Sequence, residues 1–334
     1  AGTPGWIGGL IIEGVMGGVG TMLTFLPILA LFFAGMGFLE DVGYMARAAY
    51  VMDRFMHGIG LHGKSFMPLF LGFGCNVPAI MGARILDSPR DRILTIMLAP
   101  LVPCAARLAV LTVLAQAFFP ENALAVTWGL TALPLIVLAV AGLIARGVFL
   151  RDAQSAFIME LPLYHLPSWR TIGLTVWQRT VAFLKKAGTV ILAVSIVIWA
   201  LVSYPGDTIE SSFLAMLGRL IEPIGRLMGM GWRPMVAILS SFVAKENAVA
   251  TLGVLYGVGE HAGGLSALMG TEFSPASALA FLVVEMLFIP CVSTLAVIRQ
   301  ETGTWKWVWV NVAFLGLLAF MGGVVAYHLA SLWL

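Results

Sequence analysis

Long apolar runs are the feature that most constrains this chain. A helix needs about 20 apolar residues to cross the hydrocarbon core of a bilayer. Runs close to that length occur at 22–39, 93–118, 123–145, 187–203, 235–257, 276–298 and 307–330. The runs are continuous and do not alternate in polarity over about ten residues, as the strands of a membrane barrel do. We therefore predict an all-α polytopic membrane protein with about seven or eight transmembrane helices.

The composition agrees with a membrane protein. Of the 334 residues, 60% are apolar and 11% are charged, whereas about 25% of a soluble domain is charged. The net charge is +2 and no basic block occurs, so we expect no binding to nucleic acid. The three cysteines lack the CxxC spacing of a zinc ribbon or redox motif. The expected partners are therefore the lipid bilayer, a small solute or another protein.

The segment GIGLHGKS, residues 58–65, has the letters of a phosphate-binding loop. Such a loop needs a buried strand before it and a helix beginning at its Lys and Ser. The preceding residues, ARAAYVMDRFM, favour a helix, and the chain contains no base-reading NKxD segment. We predict a glycine-rich connection with an interfacial lysine, and no nucleotide bound by this chain.

Charge placement gives the orientation. The loop 146–186 carries six Lys and Arg residues against two acidic ones, whereas the turn Pro120–Asn122 has no basic residue. Basic loops stay in the cytoplasm, so we place 146–186 there. The loops at 84–92 and 299–306 fall on the same side.

An internal repeat indicates the kind of membrane protein. PCAARLAV at 103–110 and PCVSTLAV at 290–297 share Pro, Cys, Leu, Ala and Val at matching places. An interrupted segment precedes each, GFGCNVPAI at 72–80 and SSFVAKENAVATLG at 240–253. Repeats with interrupted apolar segments indicate a transporter site near the bilayer midplane. We predict two pseudo-symmetric, inverted repeats with proline-broken helices and re-entrant hairpins, one hairpin lying at 66–82.

The predicted organisation has four regions. Residues 1–21 form an interfacial amphipathic segment, and 22–118 form the first gate repeat. Residues 119–231 supply connecting helices and the cytoplasmic loop, and 232–334 form the second gate repeat.

The proline–cysteine pairs predict a metal path. Proline removes a helical hydrogen bond to the carbonyl four residues earlier, so Pro103 and Pro290 free the carbonyls of Ala99 and Met286. Carbonyl oxygen with soft sulfur suits a transition metal such as Fe(II). The candidate ligands are Cys75, Cys104, Cys291 and Asn76, and the gate prolines are Pro78, Pro100, Pro103 and Pro290. The alternative is that each cysteine is only a small buried hydrophobe.

Ionisable residues within membranes are costly and often functional. Glu246 lies in an interrupted segment beside Lys245, and we predict that it is a ligand or gate residue. Arg107 shares a helix face with Cys104, where it would repel a cation, so we interpret it as structural. Glu285 is another carboxylate within an apolar run.

Two further carboxylates, Glu40 and Asp41, end the first apolar run. We expect them to cap their helix or to pair with Arg47, one or two helical turns away.

These residues together carry a resemblance to a known family. The chain resembles the membrane part of FeoB, the bacterial ferrous iron importer, through LEDVGYMARAAYVMDRFM (39–56), GLHGKSFMPLFLGFGCNVPAIM (60–81), RDRILTIMLAPLVPCAARLAV (90–110), FVAKENAVATLGVLYG (242–257) and PCVSTLAVIRQETGTWKW (290–307).

The resemblance implies Fe(II) as the transported ion, a place for each cysteine on its path, and the bacterial cytoplasmic membrane as the location. It also implies gating by a GTP-binding domain. As further partners it implies a small cytoplasmic accessory protein such as FeoA, or other copies of the same chain in a homo-oligomer. No GTP-binding domain lies in these residues, so we expect a fragment or one chain of a split system, without enzymatic activity. Pro103 and Ala109 depart from the family, which usually has serine and proline there.

Two other functions remain open from the sequence. The repeat plan is also similar to that of nucleoside carriers, which predicts polar uncharged groups lining the cavity and cysteines facing lipid. A non-transporting scaffold with the same fold predicts a closed core and no flux.

Overall fold

The computed structural model describes residues 17–149, 166–203, 212–256 and 273–333, and every long element in them is a helix. This confirms the predicted all-α architecture. The helices are α1 Gly17–Asp41, α2 Tyr44–Gly58, α3 Phe66–Gly72, α4 Asn76–Gly82, α5 Pro89–Leu98, α6 Ala105–Phe118, α7 Ala123–Phe149, α8 Trp169–Ser203, α9 Phe213–Arg226, α10 Trp232–Ser241, α11 Asn247–Tyr256, α12 Pro275–Leu287, α13 Val292–Thr302 and α14 Trp305–Trp333.

Four stretches of these described residues are long and apolar enough to cross a bilayer: Pro89–Phe118, Ala123–Ala145, Pro275–Thr302 and Trp305–Leu332. Two of them, α5–α6 and α12–α13, are interrupted in the middle. Two further predicted spans, 22–39 and 187–203, fall within α1 and α8.

Several predicted boundaries differ from the structure. The helix expected at 187 begins at Trp169, so the latter part of the predicted 146–186 loop is helical. The run 235–257 is two helices, α10 and α11, because residues 242–246, which end in the polar pair Lys245 and Glu246, separate them. Helix α9 was not predicted as a separate element. Most of the predicted interfacial segment, 1–21, lies outside the described residues.

Helix α1 packs along α8, and their polar ends are tied together. Glu40 pairs with Arg179 at 2.7 Å, and Asp41 accepts a hydrogen bond from the backbone N–H of Ser168 at 2.7 Å. The guanidinium of Arg47, the partner suggested by the sequence, donates to the carbonyl of Gly43. The partners lie more than 100 residues away along the chain, which local spacing could not reveal.

The GIGLHGKS segment has a helical context, as predicted. Helix α2 leads into it, and residues Gly63–Ser65 form a single 3₁₀ turn before α3. Lys64 donates to Asp87 at 2.6 Å. This ammonium holds the pKa of Asp87 below its usual range. The lysine is thus engaged by a carboxylate of the chain itself.

The two broken helices run antiparallel. Arg92 at the start of α5 pairs with Glu301 at the end of α13, 3.0 Å away. At the opposite end, Phe118 of α6 packs on Phe273 beside the start of α12, with ring centroids 5.0 Å apart. Since these helices carry the repeated motif, their opposite directions agree with the predicted inverted repeat.

The contacts between the repeats are crossed. Helices α3 and α4 form the predicted hairpin, and α4 contacts α13 of the other repeat. In the same way α10 and α11 form a hairpin, and α11 contacts α6. The apolar core contains residues of both repeats, and α14 packs on α12 beside it.

Candidate functional site

Each of the three cysteines occupies the residue just before a short helix. Cys75 precedes α4, Cys104 precedes α6 and Cys291 precedes α13, all with extended backbone. None of the three side chains caps its helix, and all three are half-buried free thiols. The position follows from the sequence, because a proline directly before Cys104 and Cys291 disfavours continuing the preceding helix.

Backbone hydrogen bonds hold the breaks of the two repeats in the same way. The N–H of Ala105, the residue after Cys104, donates to the carbonyl of Gly74. The N–H of Val292, the residue after Cys291, donates to the carbonyl of Phe242. Each broken helix is therefore fixed at its break to the hairpin of its own repeat.

The thiols of both repeats are neighbours. Each of Cys75, Cys104 and Cys291 lies within electrostatic range of the other two. Cys291 Sγ also lies 3.2 Å from the hydroxyl of Thr294. Across the described residues, no group of three or more His, Cys, Asp or Glu side chains is close enough to hold a metal ion together. In this conformation the thiols adjoin one another without forming an assembled metal centre.

Arg107 is fully buried and binds the carbonyls exposed at both breaks. Its guanidinium donates to the carbonyl of Pro100 at 2.9 Å and to that of Phe288 at 2.5 Å. These carbonyls belong to different repeats. A buried carbonyl without a partner is costly, so the arginine stabilises both interruptions at once, in keeping with the structural role predicted for it.

The engaged carbonyls are displaced from those predicted. The carbonyl of Ala99, expected to be free, accepts from the N–H of Val102 in the 3₁₀ turn Ala99–Leu101. The carbonyl of Met97 accepts from buried Asn311 of α14 at 2.9 Å.

In the first repeat the chain relieves the interruption by tightening into a 3₁₀ turn, so the carbonyl that Arg107 binds is that of Pro100 and not that of Ala99. In the second repeat Arg107 binds the carbonyl of Phe288 and not that of the predicted Met286.

The four predicted gate prolines fit these interruptions. Pro78 lies in the first turn of α4, where a helix tolerates proline. Pro100 lies in the 3₁₀ turn, and Pro103 and Pro290 lie in the extended residues before the two cysteines.

Asn76 and Glu246 have related positions. Asn76 is the first residue of α4 and follows Cys75, and Asn247 is the first residue of α11 and follows Glu246. Glu246 thus has in the second hairpin the place that Cys75 has in the first. The amide oxygen of buried Asn76 finds no hydrogen-bond donor among the described residues.

Sequence reasoning missed the buried ion pair of the site. Lys245 and Glu285 lie 3.6 Å apart, with each side chain 3% exposed. The sequence shows the lysine only as the neighbour of Glu246, whereas its partner Glu285 comes from α12. A carboxylate in the middle of an apolar run was the only sequence signal, because the pairing depends on how α10–α11 packs on α12.

The family comparison agrees with this two-part architecture. A family model described as Gate, nucleoside recognition, matches residues 22–118 and 184–305, more than half of the chain. The chain belongs to the Gate family. A second family model, for the C terminus of ferrous iron transport protein B, matches residues 127–179, between the two Gate segments.

Three curated relatives of this Gate chain are described as Fe(2+) transporter FeoB or as a fusion that contains it. The Fe(2+) transporter FeoB of Staphylococcus aureus (strain COL) is 39% identical over 330 residues, covering 97% of this chain and 49% of the relative. The Fe(2+) transporter FeoB of Methanocaldococcus jannaschii is 38% identical over 339 residues, covering 98% and 50%. A Porphyromonas gingivalis protein described as a fusion of Fe(2+) transport protein A with FeoB is 33% identical over 375 residues, covering 97% and 44%.

These comparisons confirm the resemblance to the membrane part of FeoB. The Gate chain spans about half the length of the curated relatives it matches. No solved structure matches it.

Proposed function

We propose that this chain carries ferrous iron across the bacterial cytoplasmic membrane, through the region where the broken helices of both repeats meet. The observation that carries the proposal is the placement of three free thiols, from both repeats, within electrostatic range of one another at helix interruptions. Thiolate sulfur binds Fe(II) and discriminates against Mg²⁺, which prefers oxygen. The relatives described as Fe(2+) transporters support this choice of ion.

In this proposal Cys75, Cys104 and Cys291 bind the ion in succession. Successive binding fits the absence of a group of three ligating side chains among the described residues. An ion that must be released again passes more readily through several weak binding sites in series than through one strong site. The unpaired amide oxygen of Asn76 and the carboxylate of Glu246, in the place equivalent to Cys75, supply oxygen ligands.

The same proposal includes partners outside these residues. A GTP-binding domain opens the path, and this chain performs no catalysis itself. A small cytoplasmic protein of the transport protein A type is the proposed accessory partner, since one relative is a fusion with such a protein.

The test is anaerobic ⁵⁵Fe(II) uptake into proteoliposomes of the full-length protein. Cys75→Ser, Cys104→Ser and Cys291→Ser are compared with Ser331→Ala, whose hydroxyl is exposed on α14. We expect each cysteine variant to reduce flux at least tenfold, and the control to leave it unchanged. Wild-type flux retained in all three variants would overturn the assignment of the thiols. Uptake of nucleosides in place of iron would favour the organic-solute carrier.

A further inference from the structure

The buried pair of Lys245 and Glu285 lies directly beside the proposed ion path. Lys245 is in the interruption between α10 and α11, and Glu285 is in the last turn of α12. The ammonium lies 5.2 Å from the ring centroid of Phe288, whose carbonyl accepts from Arg107. It is also within electrostatic range of Cys104 and Cys291. The pair therefore adjoins thiols from both repeats.

This pair is loosely held for a buried one. Its N–O separation of 3.6 Å exceeds the roughly 2.7–2.9 Å of a charge-assisted hydrogen bond. Neither carboxylate oxygen of Glu285 nor the ammonium of Lys245 makes a hydrogen bond of ordinary length among the described residues, although the Ser241 hydroxyl and the Lys245 ammonium are the polar groups that face the carboxylate. The nearby hydroxyl of Ser241 donates to the carbonyl of Ile238. Because buried charges are normally fully hydrogen-bonded, the carboxylate retains unused capacity to accept a ligand.

The charges of the cluster oppose a cation in this arrangement. Arg107 and Lys245 carry two positive charges and Glu285 carries one negative charge. A ferrous ion reaching Cys104 or Cys291 meets this excess in a low-dielectric setting, where repulsion is strong. Moving the ammonium away from Glu285 removes the excess and uncovers both carboxylate oxygens. Arg107 is held by two carbonyls, so Lys245 is the charge that can move.

Building on the proposed function, we propose that Glu285 is a further ligand of the transported ferrous ion, and that the Lys245 ammonium is a tethered cation which occupies the ion's place until it arrives. The exchange is one cation for another at the same carboxylate. It forms and breaks no covalent bond.

The first experiment measures Co(II) affinity of the full-length protein in detergent, with Co(II) as a spectroscopic substitute for Fe(II). Thiolate-to-cobalt absorption reports the thiols. We expect Lys245→Met to tighten Co(II) binding about tenfold, since the competing cation is gone. Lys245→Arg keeps a tethered cation and should bind Co(II) no more tightly than wild type. Lys306→Met, which removes an exposed lysine, is the matched control and should match wild type.

A double variant separates ligand competition from simple repulsion. In a Glu285→Gln background, the ion-exchange proposal expects Lys245→Met to tighten binding less than twofold, because the carboxylate it uncovered is absent. Through-space repulsion alone expects the full gain to persist, and that result overturns the proposal. Removing both partners of a buried pair is far better tolerated than removing one, so the double variant is the one expected to fold.

Infrared difference spectra test the inference without a variant that removes only one partner of the buried pair. Co(II) binding to the wild type should shift the carboxylate stretch of a buried glutamate, and the shift should be absent from the Lys245→Met, Glu285→Gln double variant. Glu222→Gln, which removes a surface carboxylate paired with Arg226, should retain it. An unchanged shift in the double variant overturns the inference even if Co(II) still binds the thiols. If Co(II) produces no thiolate-to-cobalt absorption in the wild type, that result overturns the proposed function and not the inference about Glu285.

Discussion

Individual polar side chains make the helix interruptions possible. Every interrupted helix leaves carbonyls that water cannot reach, and Arg107 and Asn311 supply donors for three of them. The placement of cysteines beside the interruptions could be predicted, because the repeated proline–cysteine pair indicates both where the helix breaks and where the thiol lies. The donors could not be predicted. Asn311 lies on α14, more than 200 residues from the carbonyl that it binds, and no local pattern connects the two.

Asn311→Leu should destabilise the protein by about 1–2 kcal/mol. The change leaves the Met97 carbonyl buried without a donor, and unsatisfied groups cost roughly 1–3 kcal/mol, while hydrogen bonds between membrane helices average nearer 0.6 kcal/mol. Thermal unfolding in a mild detergent, followed by accessibility of the cysteines to a fluorescent maleimide, measures the effect. Ser331→Leu on the exposed face of the same helix is the control, and equal melting temperatures for the two variants would contradict the role assigned to Asn311.

Arg107→Lys tests whether one side chain must serve both repeats. A lysine ammonium preserves the charge but lacks the planar fork that reaches two carbonyls at once. We expect a loss of about 1.5–3 kcal/mol, the range for a hydrogen bond to a charged group, and slower iron flux. Arg219→Lys, on helix α9 away from the breaks, is the comparison. Wild-type flux and stability in Arg107→Lys would show that charge alone suffices.

Between elements, the close packing of α14 on α12 depends on glycine residues, which have no side chain. Helix α14 lies on α12 through Gly322 and Gly323. A Cβ at Gly323 would lie 2.5 Å from Met228 and Val284 side chains, and one at Gly322 would lie 2.7 Å from Leu287. Small residues let membrane helices approach closely, since lipid offers no hydrophobic force to join them. The sequence predicted a helix here from its apolar run but gave no indication of which face packs.

Gly323→Val should therefore destabilise the α12–α14 contact by about 1–3 kcal/mol, the usual penalty for overpacking. Gly316→Val is the matched control on the same helix, because no atom lies within 4 Å of the position of its Cβ. Denaturation in detergent at graded sodium dodecyl sulfate measures both. A Gly316 variant as unstable as the Gly323 variant would mean that helix propensity, and not packing, sets the effect.

Over the whole molecule, the repeats are joined at one end by a buried carboxylate. The side chain of Glu301 at the end of α13 is 1% exposed and pairs with Arg84 at 2.6 Å and Arg92 at 3.0 Å. Both arginines belong to the first repeat and Glu301 to the second. The carboxylate also raises the pKa of Arg84 above its usual value, so the Arg84 guanidinium keeps its charge at any physiological pH. The sequence predicted basic loops on one side but not the acid that joins them.

Glu301→Gln should weaken this link, because the amide cannot neutralise two arginines. We expect about 1–3 kcal/mol lower stability, because the two arginines are partly exposed and stay solvated when the carboxylate is lost, and faster alkylation of Cys104 and Cys291 by maleimide. Glu222→Gln, in an exposed pair, serves as the control. Unchanged alkylation and melting in Glu301→Gln would show that the repeats are held together by apolar packing alone.

The crossed contacts of α4 with α13 and of α11 with α6 bear on how the two halves of the chain hold together. Each hairpin hydrogen-bonds to the break of its own repeat and also packs on the broken helix of the other repeat. A repeat separated from its partner would therefore keep its own break in place but would expose apolar surface at both its hairpin and its broken helix. The two halves form a single cooperative unit, in which neither buries its full interior alone.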